Sequence, residues 1–166
     1  MPVTQRGING AASELPYNEV QNRDSPMNKI SAEVKNGGGS HHVSLTTNDN
    51  THEITIPPKS SGSGSSANGG ELLFLALATC YCNDIYREAE KRNITVHSVH
   101  VEVSGSFDSI PGASAENVTY SATVEADASE EAILDLMRHT DTVAEVQNTL
   151  RQINSVKLDS MIAISR

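Results

Sequence analysis

Tryptophan is absent from this 166-residue chain, and aromatic side chains make up only 4% of it. With so few large rings, any core has to be assembled from Val, Ile, Leu, Ala and Met. Cysteine is nearly absent: Cys80 and Cys82 stand one residue apart. That spacing excludes the multi-bridge framework of small secreted domains. Basic residues are scarce, 12 against 21 acidic, for a net charge of −9. Phosphate backbones and anionic membranes are bound by clustered basic surfaces, and the run "REAEKR" mixes both signs, so nucleic acid and membrane are excluded as partners. The longest apolar run, Leu72 to Ala78, is far short of a membrane span. No charged-then-apolar leader pattern opens the chain, and a cytoplasmic location is the expectation.

What is present is a patterned chain in which 37% of residues are hydrophobic, enough for one domain. Residues 1–27 show no sustained period and read as a tail or an arm that docks elsewhere. The domain proper is 28–166. Period-two alternation marks three short strands within 28–57: Ile30, Ala32 and Val34, then Val43 and Leu45, then Ile54 and Ile56. Pro57 and Pro58 close them. The segment "KSSGSGSSANGG" (59–70) reads as a mobile Gly/Ser loop bordering the site, or as a plain linker.

Glu71 to Lys91 is the strongest predicted helix. Its first half is apolar all round, its second half amphipathic, and Asn93 suits its end. Leu73, Leu77, Cys80 and Asp84 share one stripe. A long strand follows over 94–107, with a phase change near Ser98 suggesting a bulge, and then an antiparallel partner strand over 117–127. Ser129 caps a helix that packs Ile133, Leu136 and Met137, and Thr142 with Glu145 forms the pattern of a capping box for a second short helix. A strand carrying Val156, Leu158 and Met161 ends the chain. The order β-β-β-α-β-β-α-α-β predicts an α+β fold with largely antiparallel sheet. So apolar a helix over 71–82 needs cover that one subunit does not supply, which predicts a dimer.

Cys80 has two readings, a small buried hydrophobe or a reactive thiol. A reactive thiol needs a lowered pKa from a cation or a helix N-terminus. Cys80 lies mid-helix, and only His41 and His42 stand out as weak cation candidates. Cys80 and Cys82 point about 200° apart on a helix and cannot pair with each other. A zinc set of His41, His42, Cys80 and Cys82 is disfavoured because C-x-C on a helix splays the sulfurs. His97 and His100, three apart on a strand, face opposite ways. His139 is expected to cap helix carbonyls, and Asp84 to be solvated unless the helix centre is at an interface.

The segments "NGGELLFLALATC", "RNITVHSVHVEVSGSF" and "VQNTLRQINSVKLD", in this order and spacing, resemble the OsmC/Ohr family of thiol-dependent hydroperoxide reductases across residues 28–166. The resemblance implies antiparallel sheets wrapped round a central apolar helix in an intertwined homodimer, with sites at the subunit interface and no cofactor. It implies two distant cysteines that form a disulfide, a dithiol reductant, and an Arg and a Glu that hold the attacking thiol as thiolate. Carried over by position, the attacking thiol is Cys80 and the second cysteine falls on Ala144. Cys82 has no counterpart, and its role as a binding residue is an open candidate. The Arg falls in "GGGSHHV", where Ser40, His41 and His42 stand instead. One branch's Glu falls on Gly70, and the other branch's on Glu71. The expectation is therefore an altered, one-cysteine organic hydroperoxide reductase that uses an external thiol and works poorly with a dithiol. The alternative is a protein that binds a small hydrophobic ligand in an interface pocket without turnover.

Overall fold

The computed structural model describes residues 27–152 and 156–166, so the expected arm at 1–27 lies outside the described residues except for Met27. Nine elements follow the predicted order: β1 (Ile30–Gly37), β2 (Ser40–Thr47), β3 (Asn50–Ile54), α1 (Gly69–Lys91), β4 (Val96–Phe107), β5 (Ala115–Ala126), α2 (Glu130–Val143), α3 (Glu145–Arg151) and β6 (Val156–Ser165). They form two three-stranded sheets, β1-β2-β3 and β4-β5-β6. Each connection in the first sheet is a two-residue turn with positive φ at both positions, Gly38–Gly39 and Asn48–Asp49. Such turns match the twist of the strands they join, which fixes the register of both hairpins.

β5 is the spine of the second sheet. Val118, Tyr120, Ala122, Val124 and Ala126 are all buried on its inner face, against Leu77, Tyr81 and Ile85 of α1 and Ile133, Leu136 and Met137 of α2. β4 pairs with it antiparallel and carries the expected bulge between Val96 and Ser98. β6 pairs with it in parallel, with a register shift that skips Asp159 and keeps Leu158 and Met161 on the inner face. A strand returning after two helices can re-enter a sheet in either direction, so local period alone did not reveal this parallel pairing.

The helix ends follow local chemistry. Asn68 and Glu71 form a reciprocal capping box at the start of α1. At its end Asn93 takes φ 55°, and Ile94 N–H reaches Ala89 O while Asn93 N–H reaches Glu90 O, a Schellman motif. Ser129 caps α2. The predicted Thr142–Glu145 box does not form. α2 continues through Val143, Thr142 Oγ1 donates back to the carbonyl of His139, and Ala144 joins α2 to α3 with no side-chain cap. Thr142 therefore sits inside a helix, where its hydroxyl has no free N–H to accept from.

The Gly/Ser loop carries structure of its own. Pro58 and Ser65 form an isolated bridge, and Lys59 N–H and Ser66 N–H bond across the loop. It leads to Asn68, 12 residues before Cys80 and so about 18 Å away along the helix. Its junction with α1 therefore lies away from the thiol.

The β1–β3 sheet is amphipathic, and among the described residues its apolar face is largely exposed. Ala32 aligns with Leu45, and Val34 with Val43 and through it Ile54; Ile30 lies two residues before Ala32 on the same face, yet of these only Val43 is buried. The first half of α1 is likewise the less covered half, with Leu75 at 57% exposure, whereas its second half buries Tyr81, Asp84, Ile85, Glu88 and Ala89.

Candidate functional site

Cys80, Asp84 and Arg87 occupy one stripe of α1 at i, i+4 and i+7, and α3 delivers Glu145 and Val146 to the same place. The Cys80 thiol lies 3.5 Å from Asp84 Oδ2 and 4.0 Å from Glu145 Oε2. The backbone N–H of Val146 donates to its sulfur. Arg87 Nη1 bridges the two carboxylates, 2.8 Å from Asp84 and 3.2 Å from Glu145, while its Nε lies 3.0 Å from Glu88. Glu88 is itself buried and also holds Lys91 at 2.8 Å and His139 at 3.3 Å.

Burial pushes the Cys80 thiol above its ordinary value, and the charges of Asp84 and Glu145 push it further. The Val146 N–H works the other way. Burial and the neighbouring Glu145 also raise Asp84, against the pull of Arg87. Glu88 is held down to about 2 by its hydrogen bonds to Lys91 and Arg87. The resting site is thus a protonated thiol beside two carboxylates, with a guanidinium already claimed by those carboxylates.

The predicted residues separate. Asp84 is buried, contrary to its expected solvation, because Arg87 compensates its charge where α1, α2 and α3 meet. His139 pairs with Glu88 rather than capping carbonyls, since α2 runs on past it and brings its ring against α1. Glu71 belongs to the capping box, nine residues and about 13 Å along the helix from Cys80. His41 and His42 lie on β2, and His41 Nδ1 bonds the Asn36 side chain at 3.0 Å. Cys82 faces β4 beside Val99 and Val101, away from Cys80, and burial raises its thiol as well. Both cysteines are free. Among the described residues, Cys80, Asp84 and Glu145 are the one group whose ligand atoms fall within 4.8 Å of one another, but Arg87 occupies the carboxylates. Sequence reasoning missed Arg87 and Glu145. The i+7 spacing pointed to the first, and nothing local pointed to the second.

One turn before Cys80, an apolar cavity of about 240 Å³ is lined by Leu73, Phe74 and Leu77 of α1 and by Phe107, Val118 and Leu150 opposite. Phe74 and Phe107 stack at 5.9 Å. Two glycines admit these rings: a Cβ on Gly70 would meet Phe107 Cε2 at 2.9 Å, and one on Gly105 would meet Phe74 Cζ at 2.8 Å. A glutamate at position 70, as in one branch of the resembled family, requires the half-exposed Phe107 ring to move aside.

α3 is anchored by Arg151. Its guanidinium donates to the Asp141 carbonyl at 2.8 Å, the Asn148 side chain at 3.1 Å and the Val156 carbonyl at 3.0 Å, and it pairs with the Asp141 carboxylate. Tyr120 O–H donates to that same carboxylate. Gln147, fully buried, donates from Nε2 to the Leu77 carbonyl at 2.9 Å. These contacts set α3 against α1 and hold Val146 N–H at the sulfur.

A family model described as "OsmC-like protein" matches residues 62–159. No curated protein matches the chain. Several solved structures share its fold. An OsmC-like protein from Mycoplasma pneumoniae has TM-score 0.60 at 16% identity, covering 82% of this chain and 98% of that one. A hypothetical protein from Aquifex aeolicus VF5 has TM-score 0.61 at 14% identity, covering 86% and 99%. An organic hydroperoxide resistance protein from Elizabethkingia anophelis has TM-score 0.55 at 21% identity, covering 81% and 96%. Among the described residues no helix is long and apolar enough to cross a membrane.

Proposed function

The chain belongs to the OsmC-like protein family, and from that premise we propose that it is a one-cysteine thiol protein that reduces small apolar organic hydroperoxides slowly through Cys80. The observation that carries this reading is the Cys80 thiol held against Asp84, with Val146 N–H on its sulfur and an apolar cavity one turn away on the same helix. The related fold from Elizabethkingia anophelis bears a hydroperoxide-resistance name, which agrees with it.

In this reading the organic group of the peroxide occupies the cavity. Cys80 passes its proton to Asp84, and the sulfur attacks the distal peroxide oxygen. The O–O bond breaks, and the departing alkoxide takes the proton back from Asp84. The products are an alcohol and Cys80 sulfenic acid. Burial raises Asp84, which makes its carboxylate a better acceptor for the thiol proton. Alanine at 144 leaves no partner cysteine in the position the family resemblance implies, and Cys82 faces away. The sulfenic acid is therefore reopened by two external thiols in turn, through a mixed disulfide that releases water.

Single-turnover oxidation tests this. Cumene hydroperoxide is expected to place a dimedone-trappable sulfenic acid on Cys80, slowly at pH 7 and faster as pH rises. Cys80→Ser is expected to abolish the adduct and Cys82→Ser to leave it. No adduct at Cys80 up to pH 9 overturns the reading. The raised thiol and the cavity together also support a second reading, ligand binding without turnover. Saturable binding of an apolar ligand by a chain whose Cys80 ignores hydroperoxide selects it.

The functional unit in this reading is a homodimer. The largely exposed apolar face of β1–β3 and the exposed first half of α1 support it, because a sheet with a bare apolar face is not stable in water. Sedimentation at micromolar concentration is expected to give twice the 17.7 kDa chain mass, with an interface of roughly 2,000 Å² or more. A stable monomer overturns it.

A further inference from the structure

We propose that Glu145 selects by charge the small thiol that reacts with Cys80, favouring a cationic or neutral aminothiol over an anionic thiol; this rests on the one-cysteine reading above. Two carboxylates approach the sulfur, Asp84 at 3.5 Å and Glu145 at 4.0 Å. Asp84 is buried, with 7% of its side chain exposed, whereas Glu145 is 69% exposed. Glu145 is thus the carboxylate that a molecule arriving from solvent meets.

The positive charge nearby is already divided. Arg87 serves Asp84, Glu88 and Glu145, and Lys91 and His139 both face Glu88. Three carboxylates against Arg87 and Lys91 leave the neighbourhood negative, in a chain of net charge −9. Charge of one sign at the mouth of a site changes the arrival rate of charged reagents by tenfold or more at low salt, and added salt screens the effect.

The reactions that use the incoming thiol balance without any other reagent. Cys80 sulfenic acid and one thiol give a mixed disulfide and water. A second thiol attacks that disulfide, returning the Cys80 thiol and releasing the symmetrical disulfide. An aminothiol brings its ammonium beside Glu145 in both steps, whereas a thiol bearing a carboxylate brings like charge to like.

The test needs no peroxide. In a Cys82→Ser chain, the rate at Cys80 is measured with methyl, 2-aminoethyl and 2-sulfonatoethyl methanethiosulfonate, each divided by its rate with 2-mercaptoethanol. The thiolate forms the mixed disulfide and methanesulfinate leaves. The cationic reagent is expected to exceed the anionic one by about tenfold at low ionic strength. The ratio is expected to fall toward one in 0.5 M salt and in Glu145→Gln, and to invert in Glu145→Lys. Equal normalised rates in the unaltered chain, or a preference that survives Glu145→Gln, overturn the proposal. Cys80 that ignores cumene hydroperoxide but shows the charge preference sinks the peroxidase reading alone.

Discussion

Replacing Arg151 with methionine is expected to lower the melting temperature by roughly 6–12 °C. The guanidinium is shared by three elements: the Asp141 carbonyl and carboxylate at the end of α2, Asn148 in α3, and the Val156 carbonyl at the start of β6. Methionine preserves the stem's volume and removes every donor. Among the described residues the Asp141 carboxylate then keeps only the Tyr120 hydroxyl, and the Asp141 and Val156 carbonyls lose this donor. Breaking a partly buried ion pair from one side, with hydrogen bonds lost as well, costs about 3 kcal/mol. A chain of this length loses about 2–4 °C per kcal/mol. Calorimetry on Arg151→Met, with Arg151→Lys as a partial rescue, checks this. A fall of less than about 2 °C would show that α3 is held by its packing and by Gln147 rather than by this guanidinium.

The second large effect is chemical. In a Cys82→Ser background, alkylation of Cys80 by iodoacetamide is expected to climb tenfold per pH unit with no plateau below pH 9. Burial, Asp84 and Glu145 hold the thiol above its ordinary value of 9.0, so the thiolate is the minor form throughout that window. Asp84→Asn with Glu145→Gln removes both opposing charges and releases Arg87 from both. Each change favours the thiolate, so the pKa falls and the profile moves to lower pH. One unit of movement multiplies the thiolate fraction at pH 7 by about ten, and the double variant is expected to react at least about tenfold faster there. An unchanged profile, or one moved to higher pH, would mean that burial alone governs the thiol.

How much of this was legible depended on the range of the interaction. Alternating Val118, Tyr120, Ala122 and Val124 and the Gly-rich and Asn–Asp turns announced their strands, because period and turn chemistry act over a few residues. Asn93 and Ser129 announced helix ends for the same reason. Thr142 and Glu145 misled: the pattern of a capping box was present, but the preceding helix kept its own hydrogen bonds through Val143. The site was half legible. Asp84 and Arg87 share the stripe of Cys80, yet "REAEKR" read as a solvated mixed-sign run. Glu145 lies 65 residues from Cys80 in sequence, and Val146 acts through a backbone N–H that any residue but proline provides. Such contacts arise only when α3 docks on α1. The parallel pairing of β6 with β5 is non-local in the same sense.

The close approach of Phe107 to Gly70 also bears on how sequence can change here. A Cβ at 70 comes within 2.9 Å of the ring, so an acidic side chain at 70 and the phenyl ring at 107 compete for the same space. Gly70→Glu made alone displaces the ring from its stacking with Phe74, whereas with a small residue at 107 the same change meets no ring. The two positions are therefore epistatic. A walk from this chain to one with the acid at 70 is easier when position 107 changes first, and that step widens the apolar cavity before any charge is added.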